Sequence, residues 1–225
     1  MASPTARAAV RGLYGMVDTS ASPQLSHLDL AQTLLQAGVS ILQLRMKGAQ
    51  DEEQLAVLRA LAQLCAGTGA QLLVNDHVHL AAAVPGVGVH LGQDDGDPAQ
   101  ARALLGDDGL LGLSTHSLAQ AEEAQQMGAD YIAYGPIFGA GSKHLAAGDQ
   151  REPHPARGLS SLRRVLSQAR VPVVAIGGVD LERLPLLLAS GVRCVAAISA
   201  ITCVPDPLAA AQTFQRSLAS TCPSD

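Results

Sequence analysis

The chain has 225 residues, of which 48% are hydrophobic and 16% charged, so it can bury a large core and is not expected to be disordered. Only 2% of the residues are aromatic and none is tryptophan, which argues against nucleic-acid binders that stack bases on aromatic side chains. The formal net charge of −5 disfavours a general surface for polyanions, so any phosphate site must be local.

The start of the chain and the cysteines bear on the compartment. Residues 1–10 are rich in alanine but lack the apolar core of a signal peptide, and we expect them to form a flexible terminus. No apolar run approaches the ~18 residues that a membrane-spanning helix needs. The four cysteines form no CxxC pair and no zinc-like spacing. We therefore expect a cytoplasmic protein that binds neither membrane nor nucleic acid, and a homo-oligomer stays open.

Short apolar runs recur along the chain, and each leads through a polar or glycine-rich loop into an amphipathic segment. Gly38, Gly128 and Gly191 precede three of the runs, where a glycine is typical of the end of a helix. Eight such runs are what a closed parallel barrel requires. We predict one α/β domain over 1–225, a single (β/α)8 TIM barrel. Its strands are expected at 12–17, 40–44, 71–74, 87–91, 110–113, 131–134, 172–176 and 193–198.

The segments between the runs are predicted to be the outer helices of the barrel. Apolar residues at helical spacing predict one helix over 55–65, and similar segments follow at 117–127, 159–169 and 206–219. Pro185 should make the helix over 181–189 start late or kink. The long polar connection over 139–157 is expected to be an active-site loop, because such loops often cover ligands.

Polar side chains interrupt the second run where a buried strand would stay apolar. Gln43, Arg45 and Lys47 recur at period two, so in an extended backbone they project to one side. Ligands bind at the carboxyl ends of parallel strands, and one amide with two cations suits an anion rich in oxygen atoms. We predict an anion site at this strand end.

Further polar residues follow the third and fourth runs. Asn75 and Asp76 come directly after the third run, and Asp94 and Asp95 follow the fourth. Magnesium is typically held by one or two carboxylates together with substrate phosphates, so Asp76 and Asp95 are predicted to bind Mg²⁺ beside a diphosphate. The alternative for each aspartate alone is a helix N-cap. The three strand-end sites together favour the magnesium and diphosphate site.

The fifth run leads into a cluster of hydroxyl and imidazole side chains. Ser114 and His116 are candidates for a hydrogen bond to a ligand. The alternative reading is that Thr115 or Ser117 simply caps the helix that follows. No nucleophile accompanies His116, so a catalytic triad is not predicted.

The seventh and eighth runs end in residues that suit a phosphate. Loops after these two strands of such barrels frequently bind a phosphate through backbone N–H groups. Gly177 and Gly178 would let the backbone approach it closely, and Ser199 follows the eighth strand. A glycine turn without a ligand is the alternative, but the position of the pair favours a second phosphate site.

A histidine pair follows the third strand site. His77 and His79 lie two apart at the predicted start of a helix, which would place their side chains on different faces. No cysteine or third histidine is near them in the sequence. We therefore predict surface residues and not a metal site.

Taken together, these motifs resemble the thiamine-phosphate synthase family, and the resemblance extends from the first strand to the eighth. Several of the pieces are ordinary alone, but their order and their positions at strand ends are specific. The matching stretches are QLRMK at 43–47, ND at 75–76, GVHLGQDD at 88–95, GLSTHS at 112–117, GADYIAYGPIF at 128–138, SK at 142–143, AIGGV at 175–179 and AISAI at 197–201.

The resemblance implies a barrel enzyme that joins a hydroxymethylpyrimidine diphosphate to a thiazole phosphate and releases diphosphate. It implies Mg²⁺ bound by Asp76 and Asp95, and catalysis by Arg45, Lys47, Ser114 and Lys143 through positioning and charge. The substrate contacts implied in this way are Gln43, Leu44, Arg45, Met46, Lys47, Asn75, Ser114, Ala140, Gly141, Ser142, Lys143, Gly178, Ile198 and Ser199.

The chain also departs from the family pattern, which keeps two alternatives open. The family usually has an arginine where His77 stands, an aspartate where His79 stands, and a Pro-Thr phosphate loop where this chain has residues 139–143. A barrel that binds a phosphate ligand without catalysis would fit the altered loop. A thiazole tautomerase paralogue would need no magnesium site, yet Asn75, Asp76 and Asp95 are all present. The synthase is the favoured interpretation.

Overall fold

Eight parallel strands close into a barrel, as the sequence predicts. The computed structural model describes residues 2–20, 25–107, 109–139 and 155–220. Each strand pairs with the next along the chain and β1 pairs with β8, so the sheet has no free edge. The predicted strands are confirmed to within two residues at each end. They are β1 Gly12–Val17, β2 Ile41–Leu44, β3 Gln71–Asn75, β4 Gly88–Leu91, β5 Leu111–Thr115, β6 Tyr131–Tyr134, β7 Val173–Ile176 and β8 Cys194–Ala196.

Helices surround the barrel and connect its strands. Pro185 lies in the first turn of α8, which starts late as its position predicts. Among the described residues, no helix is long and apolar enough to cross a membrane. The helices in this part of the chain are α1 Pro4–Ala8, α2 His27–Gln36, α3 Asp51–Ala66, α4 Val78–Ala82, α5 Pro98–Leu105, α6 Leu118–Gln126, α7 Gly158–Gln168, α8 Leu184–Leu188, α9 Ser199–Thr202 and α10 Pro207–Ala219.

Strand side chains alternate between the barrel interior and the layer under the helices. Ile41 belongs to the buried cluster formed by inward-facing strand residues, whereas Leu42 and Leu44 pack in the cluster shared with the helices. Because successive strand residues face opposite sides, Gln43 projects into the barrel, with only 3% of its surface exposed. The period-two pattern thus places Gln43, the polar side chain of β2, at the inner wall of the barrel mouth.

The first ten residues do not form the flexible terminus expected from the sequence. Residues 4–8 form helix α1, which Ser3 caps by accepting a hydrogen bond of 3.2 Å from the N–H of Ala6. Ala2, Ala6 and Val10 are buried in the interior cluster of the barrel. This segment therefore packs on the end of the barrel at which β1 begins.

Asp130 connects several chain segments at this end of the barrel. Its carboxylate accepts hydrogen bonds from the N–H of Ala2 at 2.7 Å and of Leu111 at 2.9 Å, and it pairs with the guanidinium of Arg102. The Asp130 side chain is fully buried. A buried carboxylate with this many donors ties the N-terminal segment, β5 and α5 to one anchor.

We expect Asp130→Asn to lower the free energy of unfolding by about 3–5 kcal/mol, because it leaves the Arg102 cation without a counter-charge in a low-dielectric region. Urea unfolding followed by far-UV circular dichroism measures the change. Glu122→Gln is the matched control, since Glu122 is exposed and its charge should matter little. A loss below about 1 kcal/mol for Asp130→Asn would contradict the proposed anchor.

Candidate active site

Most of the polar strand ends meet around a cavity of about 720 Å³ in the barrel mouth, whereas Asp76 and Asp95 are not among the residues that line it. Met46 and Lys47 line a smaller neighbouring cavity of about 210 Å³, which Arg45 also borders. Leu44 is fully buried under the helices, so only its backbone is available to a ligand. The predicted residues Ala140, Gly141, Ser142 and Lys143 lie outside the described residues. Those that line the larger cavity are Gln43, Arg45, Asn75, Ser114, Gly178, Ile198 and Ser199.

The side chains of β2 are held in place by neighbours on both sides. The amide Nε2 of Gln43 donates to Oδ1 of Asn75 at 3.1 Å, across the β2–β3 pair. On the other side, the Arg45 guanidinium forms an ion pair with Asp18, just beyond β1. Asp18 is only 3% exposed and also accepts from the N–H of Ser20 at 3.0 Å. The first-strand carboxylate thus fixes the cation expected to meet the diphosphate.

The capping alternative for Asp76 and Asp95 is wrong in this structure. His77 is the N-cap residue of α4 and no side chain caps that helix, whereas Asp97 caps α5 by accepting from the N–H of Ala99 at 2.9 Å. Asp76 has a backbone φ of +65°, a left-handed conformation that few residues other than glycine, asparagine and aspartate adopt. Both carboxylates are therefore available for another role at the rim.

Asp76 and Asp95 face one another beside two cations. Burial, followed by the charge and hydrogen-bonding contact of Asp95, raises the pKa of the Asp76 carboxyl to about 6, against the opposing effect of Lys47 and Arg45. Two ionised carboxylates in contact repel one another, and a divalent cation that prefers oxygen ligands relieves that repulsion. This donor set fits Mg²⁺.

Gly92 fixes the position of the second carboxylate. The N–H of Gly92 donates to Oδ2 of Asp95 at 3.1 Å. A Cβ atom at residue 92 would overlap that same oxygen, so no larger residue can occupy the position without moving Asp95. The absence of a side chain at Gly92, directly after the fourth strand, therefore allows the Asp95 carboxylate to keep this orientation.

A chain of hydrogen bonds leads from the barrel interior to Ser114. The hydroxyls of Tyr14 and Tyr131 lie 2.7 Å apart, Tyr131 Oη lies 2.9 Å from Nδ1 of His90, and His90 Nε2 lies 2.8 Å from Oγ of Ser114. The His90 ring also stacks on Tyr131, with centroids 5.6 Å apart and an interplanar angle of 25°. Burial lowers the pKa of His90 to about 4, so the imidazole is neutral near pH 7.

A neutral imidazole has one donor and one acceptor nitrogen, so this chain of hydrogen bonds has a direction. If Ser114 donated to His90, each later hydroxyl would donate inward and the Tyr14 O–H would need an acceptor. Among the described residues the Tyr14 hydroxyl forms a hydrogen bond with Tyr131 alone, and an unpaired buried donor costs about 1–3 kcal/mol. The opposite direction satisfies every group. His90 Nε2–H then donates to Ser114 and leaves the Ser114 O–H for a ligand.

The far side of the mouth is shaped by the glycine pair after β7. Gly178 has a φ of +67°, and a Cβ there would lie 2.7 Å from the carbonyl oxygen of Gly139 and 2.9 Å from Cβ of Phe138. The Arg183 guanidinium donates to the Gly178 carbonyl at 2.9 Å and lies over the Phe138 ring at 5.3 Å. The backbone at residue 178 is thus fixed at the cavity wall, where Ser199 begins α9.

The hydroxyl and imidazole side chains that follow the fifth apolar run divide between the two roles predicted for them, contact with a ligand and helix capping. Ser114 lines the cavity, whereas Ser117 caps α6 by accepting from the N–H of Gln120 at 3.1 Å. The Thr115 hydroxyl donates to the Ala133 carbonyl and stays buried. His116 is held by the Gly135 carbonyl, 2.7 Å from its Nδ1. The predicted helix cap is therefore confirmed for Ser117, and Ser114 remains the candidate for a hydrogen bond to a ligand.

The prediction that His77 and His79 face apart is wrong. Their ring centroids lie 5.7 Å apart at an interplanar angle of 88°. His77 precedes α4 with φ −89° and ψ 81°, so the two residues do not follow helical spacing. The error came from extending the helix one residue too far.

Asp18 and His90 are two polar cavity residues that sequence reasoning missed. Asp18 directly follows β1, just as Asn75 follows the apolar part of β3. The search for polar residues at strand ends, which identified Asn75, would therefore also have identified Asp18. His90 stands inside an apolar run, where its polarity is the signal. Both line the cavity and hold a predicted site residue by hydrogen bond or charge.

Comparison with known proteins agrees with this geometry. A family model described as thiamine monophosphate synthase matches residues 13–201. A thiamine-phosphate synthase from Azoarcus sp. (strain BH72) is 40% identical over 206 residues, which cover 91% of this chain and 96% of the relative. One from Synechococcus sp. (strain CC9311) is 44% identical over 188 residues, 84% of this chain, but the match spans only 51% of that longer relative.

A solved structure shares the whole architecture. The thiamine phosphate pyrophosphorylase from Pyrococcus furiosus superposes with a TM-score of 0.83 at 29% sequence identity. The match covers 96% of this chain and 99% of the other. Similarity therefore extends over the barrel and all of the strand ends that form the cavity.

Proposed function

Because this chain belongs to the thiamine monophosphate synthase family, we propose that it is a thiamine-phosphate synthase whose reaction takes place in the cavity at the barrel mouth. The enzyme is a transferase of thiamine biosynthesis. Its substrates are a hydroxymethylpyrimidine diphosphate and a thiazole phosphate, and its products are thiamine phosphate and diphosphate. A cytoplasmic location belongs to the proposal as well.

One observation carries the assignment of the site: a second carboxylate and two cations all act on Asp76. The charge and contact of Asp95 raise the pKa of Asp76, and the charges of Lys47 and Arg45 lower it. A diphosphate with a bound divalent cation complements both pairs, since its oxygens meet the cations and its metal meets the carboxylates. A thiazole isomerase would have no use for this arrangement.

The diphosphate end would be bound by residues of β2, β3 and β4. Asp76 and Asp95 would hold Mg²⁺, which when bound supplies positive charge to the leaving diphosphate. Arg45, fixed by Asp18, and Lys47 would contribute the remaining cationic charge as the C–O bond breaks. The reaction then needs no protein nucleophile, because departure of the diphosphate leaves a pyrimidine methylene cation that the thiazole nitrogen attacks.

The pyrimidine would lie against the inner wall of the mouth. The Ser114 hydroxyl, oriented by His90, is the donor proposed for a ring nitrogen of the pyrimidine. Gln43 and Asn75, joined at 3.1 Å, would contact the same substrate from the neighbouring strands. Such fixed partners orient the methylene group toward the attacking nitrogen, which is the main source of acceleration in a reaction of this type.

The thiazole phosphate would bind on the opposite side, at the ends of β7 and β8. Gly178, Ile198 and Ser199 line this part of the cavity, and the backbone can approach a phosphate closely at the glycine. The proposed contacts of the 140–142 backbone and of Lys143 rest on the family resemblance alone. The two phosphate-bearing substrates would thus bind at opposite walls of the cavity.

The direct test combines purified protein with both substrates. We expect thiamine phosphate and diphosphate in equal amounts when Mg²⁺ is present, and a loss of at least about 100-fold on chelation with EDTA. Liquid chromatography with mass spectrometry measures both products. Turnover that ignores EDTA would contradict the metal assignment, and isomerisation of the thiazole alone would identify a tautomerase.

Binding of Mg²⁺ is expected to depend on pH because a proton competes for Asp76. With a pKa of about 6, the carboxyl is mostly protonated at pH 5 and mostly ionised above pH 7. The apparent dissociation constant should therefore be about tenfold weaker at pH 5 than on its plateau above pH 7. Isothermal titration calorimetry measures it. Asp94→Asn, which changes the exposed neighbour of Asp95, should leave the pH profile unchanged. A wild-type dissociation constant that does not change with pH would contradict the raised pKa of Asp76.

A further inference from the structure

A cluster of metal-ligating groups stands outside the cavity, next to the rim. His77 and His79 converge there with Asp51, the first residue of α3. The His79 Nε2 lies 2.7 Å from Oδ2 of Asp51, and one ligand atom from each of the three residues lies within 4.8 Å of the others. Three side chains from the starts of two helices, α3 and α4, thus meet at one point.

The ligand types decide which ion this cluster suits. Two imidazoles and one carboxylate are typical of zinc and other borderline divalent metals, whereas Mg²⁺ prefers oxygen ligands alone. The side chains of Asp51 and His79 are each 60% exposed, so water can complete the coordination of an ion. The cluster differs in this chemistry from the Asp76–Asp95 pair.

A buried amide orients one of the two imidazoles. Gln54 is only 2% exposed, and its Nε2 donates to the Ala49 carbonyl at 3.0 Å. The second N–H of that amide faces Nε2 of His77 across a long contact of 3.3 Å. That ring nitrogen therefore accepts, and its lone pair becomes available to an ion when the ion replaces the Gln54 contact.

We propose that Asp51, His77 and His79 form a binding site for Zn²⁺ or a similar borderline divalent metal, separate from the magnesium site. The ion would replace the hydrogen bonds that these groups make with one another and with Gln54, and it would join the start of α3 to the start of α4. Those two segments also carry the β2–α3 and β3–α4 loops, with Lys47 in one and Asp76 in the other. A metal here would thus brace the outer side of the diphosphate-binding loops.

The test is a metal titration of the whole protein in saturating Mg²⁺, which occupies the oxygen-only site. Zn²⁺ is titrated in competition with a chromophoric chelator, and Co²⁺ is titrated separately while its visible absorption bands are recorded. We expect one equivalent bound per chain, with cobalt bands that indicate nitrogen and oxygen ligands. His77→Ala and His79→Ala should each weaken binding by at least the 10–100-fold that loss of an outer partner costs.

Matched variants separate this site from other binders of zinc. Cys203→Ser removes an exposed thiol, and Asp95→Asn alters the proposed magnesium site; neither should change the stoichiometry. Circular dichroism confirms that each variant is folded. The proposal is overturned if wild type binds no Zn²⁺ at micromolar concentration, if binding survives both histidine substitutions, or if it is lost in Cys203→Ser or Asp95→Asn.

Discussion

Replacement of Asp76 and Asp95 together by asparagine is expected to reduce formation of thiamine phosphate by about 10³-fold or more. The charge and hydrogen-bonding contact of Asp95 raise the pKa of Asp76, so the two carboxylates lie close enough to share one ion. Without them the protein keeps its cations but loses the groups proposed to hold the divalent ion. Residual turnover should no longer respond to added Mg²⁺.

Asparagine is the appropriate replacement for structural reasons. Asp76 has a φ of +65°, a conformation that asparagine tolerates better than alanine does. The loss of activity then reports on charge and not on a strained backbone. Asp94→Asn, which changes the exposed carboxylate next to Asp95, is the matched control, and its rate of thiamine phosphate formation should stay within about twofold of wild type. Magnesium-dependent turnover in the double variant would remove both residues from the metal site.

The second large effect is expected at His90. His90→Leu should lower kcat by about 100-fold, because the Ser114 hydroxyl loses the donor that sets its direction. His90→Gln places an amide N–H near the former Nε2 and should recover part of the loss. Ser114→Ala should fall as far as His90→Leu, and the two together should cost no more than either alone.

The tautomer of His90 provides a readout that does not depend on turnover. Nitrogen-15 NMR of labelled protein should show the proton of His90 on Nε2, with no titration between pH 5.5 and 8, since burial lowers the pKa to about 4. Tyr131→Phe removes the group that donates to Nδ1 and should allow the other tautomer. A wild-type His90 protonated on Nδ1 would reverse the direction of the chain and refute the role of Ser114 as a donor.

The barrel and the polar strand ends were predictable because their signals are local. A parallel barrel buries both faces of every strand, so eight short apolar runs stand out from the helices between them. Gln43 and Arg45 broke that pattern at period two, and the break itself marked the site. Strand order then placed Asn75 and Asp76 beside them without any knowledge of distances.

The partners of these residues were less accessible, since they depend on contacts across the barrel. Nothing in the sequence says that Asp18 pairs with Arg45, or that the imidazole of His90 reaches both Tyr131 and Ser114. The Ser3-Pro4 start of α1 is a local signal that composition obscured, because the segment is rich in alanine. The segment was therefore taken for a flexible arm.

The buried tyrosines give the folded barrel an optical signature of its own. The chain contains three tyrosines and no tryptophan, and all three phenols are buried and hydrogen-bonded. Burial raises the pKa of Tyr14 and Tyr131 far above the ordinary value of a phenol. Phenolate absorbance from these two rings should thus appear only when alkali opens the barrel. Ultraviolet absorbance and intrinsic emission can follow loss of the interior without a label.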